Sequence, residues 1–217
     1  MSDRVGAGGA STVANELPAP GEYPCGLTWD GTHLWHSDQA AASVYAIDPT
    51  VGSVVRAYHC GWVRADLTYD GSLLCQIGGR PKRLVLIEAE TGRIAGFRPI
   101  LPASGRVTGA EIGPEGLWLV LREPNVVQLR DYPSLTILRE HAVPGASPSG
   151  LACADGRVVY GDFESGTLHV LDAATGEHVR SIELDAHPTG ITWDGHRLWY
   201  CDFHARAIRT LDLTAAS

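Results

Sequence analysis

The chain has 217 residues, enough for one substantial core and short for two ordinary domains, and its 25 glycines and 13 prolines make it rich in turns. Its net charge is −8 and Lys82 is its only lysine, so no basic stretch invites nucleic acid or an anionic membrane. No apolar run approaches membrane-spanning length and the start lacks the apolar core of a signal peptide, so a cytoplasmic protein is expected, its five cysteines reduced.

In chain order, residues 1–10 read as a disordered lead-in and residues 11–217 as a single domain. Pro24-Cys25-Gly26-Leu27-Thr28-Trp29-Asp30-Gly31 returns as Pro188-Thr189-Gly190-Ile191-Thr192-Trp193-Asp194-Gly195, with a shorter copy from Pro148 to Ala152. Diverged copies run from Arg64 to Gly71 and from Gly109 to Ile112. With Gly26 as the reference, the copies fall at 26, 66, 111, 150 and 190, spacings of 40, 45, 39 and 40 residues. A full unit holds four short runs, the first two joined by a turn such as Asp-Gly and the last two by a turn such as Thr-Gly, where glycine supplies the positive φ of a hairpin. The expected fold is all-β, a five-bladed β-propeller with four antiparallel strands per blade. The fifth unit stops after its third run, at Leu213, and Thr12 to Leu17 offers the missing fourth. Pairing the N-terminal strand into the last blade closes the ring and removes two open edges.

The inner strand of each blade lines the channel, so departures from the repeat near the loops that enter those strands mark a candidate site. Asp66 and Glu111 stand where the other units have glycine, and two neighbouring carboxylates either split their pKa values into an acid and a base or share Mg²⁺ or Ca²⁺. Arg64 replaces the prolines of the consensus units and is placed to pair with a carboxylate or clamp an anionic group. The competing reading is a buried cluster of Arg64, Asp66 and Glu111 that plugs the channel. Around them the same face is expected to carry Tyr23, Trp62 and Thr108 from the entering loops, with His187 as an auxiliary acid or base. The same face is also expected to carry His36, Gln76, Tyr160 and Tyr200, near the ends of second strands, as substrate-binding candidates, His36 reading as packed between blades rather than catalytic. The recurring Asp38, Asp162 and Asp202 fit a repeated structural task, holding loop amides, and Trp29, Trp35, Trp193 and Trp199 fit blade packing.

Through its Pro-x-Gly-Leu/Ile-Thr-Trp-Asp-Gly…Leu-Trp units the chain resembles the bacterial propeller superfamily of NHL, streptogramin-lyase, gluconolactonase-like and glutaminyl-cyclotransferase-like proteins. The resemblance spans nearly the whole chain and implies fold. Blade number resembles the last group, and Glu111 stands where gluconolactonase-like enzymes place a metal-binding glutamate. No GxSxG, HExxH, P-loop or clustered Cys/His zinc pattern occurs, which disfavours covalent serine chemistry and a nucleotide cofactor. Two functions fit these residues. One is an enzyme of lyase, hydrolase, isomerase or cyclase type that takes a small molecule at the channel mouth. The other is a module binding a protein or peptide, in either case as a monomer or weak homo-oligomer.

Overall fold

A computed structural model describes residues 15–101 and 105–213, so the lead-in and Thr12 to Ala14 lie outside the described residues. The short runs form twenty strands among the described residues. Strand β1 is Glu16–Pro18. The first blade holds β2 (Pro24–Trp29), β3 (Leu34–Asp38), β4 (Ser43–Ile47) and β5 (Val54–His59); the second holds β6 (Val63–Tyr69), β7 (Leu73–Gly78), β8 (Arg83–Glu88) and β9 (Ile94–Pro99). The third blade holds β10 (Arg106–Gly113), β11 (Gly116–Arg122), β12 (Val126–Arg130) and β13 (Ile137–Ala142). The fourth holds β14 (Pro148–Ala154), β15 (Arg157–Asp162), β16 (Thr167–Asp172) and β17 (His178–Glu183). The last is built from β18 (Pro188–Trp193), β19 (Leu198–Asp202) and β20 (Ala207–Leu211), with β1 as its outermost strand. No helix among the described residues is long and apolar enough to cross a membrane.

Burial falls from the axis outward, and the sequence follows it. The inner strands are buried on both faces and use small and β-branched residues, whereas the outer strands β5, β9 and β13 alternate between exposed and half-buried positions. Five apolar clusters fill the five spaces between adjacent blades. Trp35 and Trp199 lie fully buried in two of them, and each indole N–H donates to the aspartate of its own Asp-Gly turn, Asp30 at 2.6 Å and Asp194 at 2.7 Å. The same aspartates accept from two turn amides, which explains why Asp-Gly and Leu-Trp recur together.

Ring closure occurs as expected. Leu17 pairs with Ile208 and is buried against Trp199 and Leu27, bridging the last blade and the first. Glu16 adds an ion pair to Arg209 at 2.7 Å.

The strand ladders correct one register. Leu27 pairs with His36 and Thr28 with Trp35, while Ala110 pairs with Leu119 and Glu111 with Trp118. Glu111 therefore matches Thr28, and Gly109 is the true partner of Gly26. Close packing of inner strands explains the glycine there. A Cβ on Gly109 would stand 2.6 Å from the Gly150 backbone, and one on Gly190 2.4 Å from the Leu27 nitrogen. Only Asp66 departs from glycine at this register.

Candidate functional site: the channel mouth and the plug beneath it

At the end of the channel where inner strands begin, a cavity of about 570 Å³ opens. One side belongs to the second and third blades and is cationic: Arg64 from β6, Arg80 and Lys82 from the turn joining β7 to β8, Arg106 at the start of β10 and Arg122 at the end of β11. The other side belongs to the remaining blades and carries Tyr23, Phe163 and Phe203. These rings touch edge to face, Tyr23–Phe203 at 4.7 Å and Phe163–Phe203 at 5.5 Å between centroids.

The division follows from one register position. Where β3, β15 and β19 end in Asp38, Asp162 and Asp202, the ladders place Gly78 and Leu121 in the second and third blades. The three aspartates hold the loops, as expected: Tyr23 N–H donates to Asp38 at 2.6 Å, Ser147 N–H to Asp162 at 3.0 Å and His187 N–H to Asp202 at 3.3 Å. The cationic blades lack that carboxylate. None of the five cations forms an ion pair with a carboxylate among the described residues, although seven other arginines do. Arg64 donates to the Val63 carbonyl at 2.5 Å, and Arg122 to those of Pro148 at 2.7 Å and Ser147 at 3.2 Å. Burial, then the charges of Arg106 and Arg80, lower the Lys82 pKa to about 8.

Beneath the mouth, Asp66 closes the axis. Its Oδ1 accepts from the amides of Leu67 at 2.9 Å and Leu27 at 3.2 Å; its Oδ2 accepts from those of Ala110 at 3.1 Å and Leu151 at 3.3 Å. Four blades thus meet on one fully buried carboxylate. Burial raises its pKa, against four amide donors that favour the ionised form. Glu111 lies two residues further along its strand and is 9% exposed. It accepts from the Thr68 hydroxyl at 3.0 Å and the Thr192 hydroxyl at 3.3 Å. Burial raises the Glu111 pKa too, and the Asp66 charge raises it further. Neither carboxylate lines the mouth cavity, and Arg64 pairs with neither. Among the described residues no three His, Cys, Asp or Glu side chains converge as a metal site. Asp66 already faces four N–H groups, so this pair does not fit Mg²⁺ or Ca²⁺, which need about six or more oxygen ligands.

The other sequence-predicted residues separate into two sets. Tyr23, Arg64 and Thr108 line the cavity, and Trp62 lines an adjoining depression with Arg64 and Arg80. His187 lies outside it, with Nδ1 2.7 Å from the Phe163 carbonyl and its ring 4.5 Å from His204. Gln76 is buried, its amide donating to the carbonyls of Ala65, Asp66 and Ile77 at 2.9–3.1 Å. His36 is sealed between the carbonyls of Gly26 and Pro20, both at 3.1 Å, and burial lowers its pKa. Tyr160 and Tyr200 are buried between blades, Tyr160 donating to the Pro144 carbonyl at 2.9 Å. Sequence reading missed Arg80, Lys82, Arg106, Arg122, Phe163 and Phe203.

No family model matches the chain, and no curated protein matches it. Solved structures do. Glutaminyl cyclase from Myxococcus xanthus superposes with a TM-score of 0.78 at 16% identity, over 94% of this chain and 97% of that one. A catalytically inactive virginiamycin B lyase from Staphylococcus aureus with quinupristin gives 0.55 at 21% identity, over 91% and 68% of the two chains. A chain of a nidogen/laminin complex gives 0.64 at 16% identity, over 89% and 77%. At these identities the likeness is one of fold, and the fold it shares is the β-propeller.

Proposed function

We propose that this protein binds a small molecule joining an anionic group to an aromatic or apolar body, seated at the mouth of the channel. The observation that carries the reading is the cavity's two-sided lining: five cations that form no ion pair with a carboxylate among the described residues face three aromatic rings. Like charges gathered in an acidic protein repel one another, and a bound anion relieves that repulsion. Arginine adds bidentate geometry suited to a carboxylate or phosphate. A cavity of about 570 Å³ falls in the range of small-molecule sites. Two fold neighbours are by name a cyclase and a lyase, so the fold is compatible with an enzyme.

Phenyl phosphate, inorganic phosphate and phenol separate the two halves of the site in a calorimetric titration. Phenyl phosphate is expected to bind most tightly and to weaken as salt is added. Phenol binding as well as phenyl phosphate, or binding insensitive to salt, would overturn the reading.

A further inference from the structure

We propose that Lys82 is a covalent carbonyl-binding residue, whose amine condenses with the aldehyde or ketone of an anionic ligand held in the mouth cavity. The proposal rests on the anion-site reading above and names its substrate class: anions that carry a carbonyl group. Of the five cations at the mouth, four are arginines, which hold an anion but do not act as amine nucleophiles. The fifth is the only lysine in the sequence. Its main chain is fixed, because the Lys82 carbonyl accepts from the Ile100 amide at 3.1 Å. Its side chain reaches the cavity and has no hydrogen bond or ion pair among the described residues, so nothing must be broken before it reacts.

The surroundings also supply the free amine. The charged and titratable groups that act on Lys82 are Arg106 and Arg80, which disfavour the ammonium form, Cys25, which favours it, and Arg64, which disfavours it least. With burial they bring the amine to about 8. At neutral pH roughly a tenth of it is uncharged, some hundreds of times the fraction of an ordinary lysine. The neutral nitrogen forms a bond to the carbonyl carbon as the C=O π pair moves onto oxygen, and the proton shed by nitrogen goes to that oxygen to give a neutral carbinolamine. A second proton, from solvent, lets the hydroxyl leave as water while the nitrogen lone pair completes a protonated imine. Its positive charge draws electrons from the neighbouring carbon, as lyase and isomerase steps beside a carbonyl require. The guanidinium groups hold the ligand's anionic end meanwhile.

Pyridoxal 5′-phosphate is a suitable probe, being aromatic, anionic and an aldehyde; pyridoxine 5′-phosphate is its carbonyl-free counterpart. The protein is incubated with each, reduced with borohydride and mapped by peptide mass. We expect a stable adduct at Lys82 that forms at least about tenfold faster than with phosphate-free pyridoxal, that phenyl phosphate suppresses, and that Lys82→Arg abolishes. At saturating pyridoxal 5′-phosphate the labelling rate should rise with pH as the Lys82 amine loses its proton. Label confined to the N-terminal amine, or equal rates with and without the phosphate, would overturn the proposal. Binding of pyridoxine 5′-phosphate without any trapped adduct would remove the covalent step and leave the anion site standing. Failure of both compounds to bind would remove both.

Discussion

Asp66 and Arg64 are two residues apart on one inner strand and illustrate opposite uses of charge. Asp66 is buried on the axis with both oxygens occupied by amides of four blades. Arg64 reaches the cavity beside four further cations and forms no ion pair with a carboxylate among the described residues. A charge whose bonding capacity is spent inside the fold serves the fold. The cations at the concave mouth spend less of their charge inside the fold, and it is there that the proposed ligand site lies, one layer above the plug in the same channel.

The largest effect expected is on the plug. Asp66→Ala leaves four inward amides without an acceptor and should destabilise the protein by about 3–5 kcal/mol, read by chemical denaturation. A loss below about 1 kcal/mol would mean that the ring does not depend on its axial carboxylate.

Glu111 sharpens the contrast through pH. Its folded pKa is raised, so between the unfolded value near 4.5 and the folded value the native state holds the extra proton. The stability it contributes is complete below about 4.5 and is lost as pH rises through the folded pKa. Glu111→Gln mimics the protonated form and keeps both threonine hydroxyls bonded. Its stability relative to the parent should therefore increase from pH 4.5 upward. A difference constant with pH would show that Glu111 is not perturbed by burial and Asp66.

The mouth should respond in the opposite sense. Arg106→Gln and Lys82→Gln each remove a repelling charge and break no ion pair, so stability should stay within about 0.5 kcal/mol of the parent or rise. Phenyl phosphate affinity should fall about tenfold for either. For the parent, affinity should also decline as pH rises above about 8, where free Lys82 loses its charge.

The propeller was legible because physical devices repeat. In the first and last blades an Asp-Gly turn holds the indole of the following Leu-Trp pair, and Glu16–Pro18 supplies the fourth strand of the last blade. The third blade was misaligned by its apolar Ile112, which drew Glu111 onto the glycine register. Counting from Leu-Trp instead, eight residues separate Leu27 from Trp35 and Ala110 from Trp118, the alignment the ladders show. Arg64 stood out as a break in the proline pattern. Its companions did not, because Arg80, Lys82, Arg106 and Arg122 come from loops and strand ends outside the repeating unit. A charge count held the missing signal. Residues 64–122 carry eight Lys and Arg against six Asp and Glu, a net +2 within a chain of net −8. The aromatic half gave less sign of itself, since Phe163 and Phe203 meet only once the fourth and fifth blades are folded side by side.

The most direct measurement of the central claim is a paired one on the Arg64→Gln, Arg106→Gln double variant: melting temperature, and calorimetric titration with phenyl phosphate. An intact melting temperature with affinity reduced at least about a hundredfold is the expected result. Unchanged affinity would contradict the assignment of the mouth as an anion site, and a collapsed melting temperature would place its cations with the plug, as part of the fold.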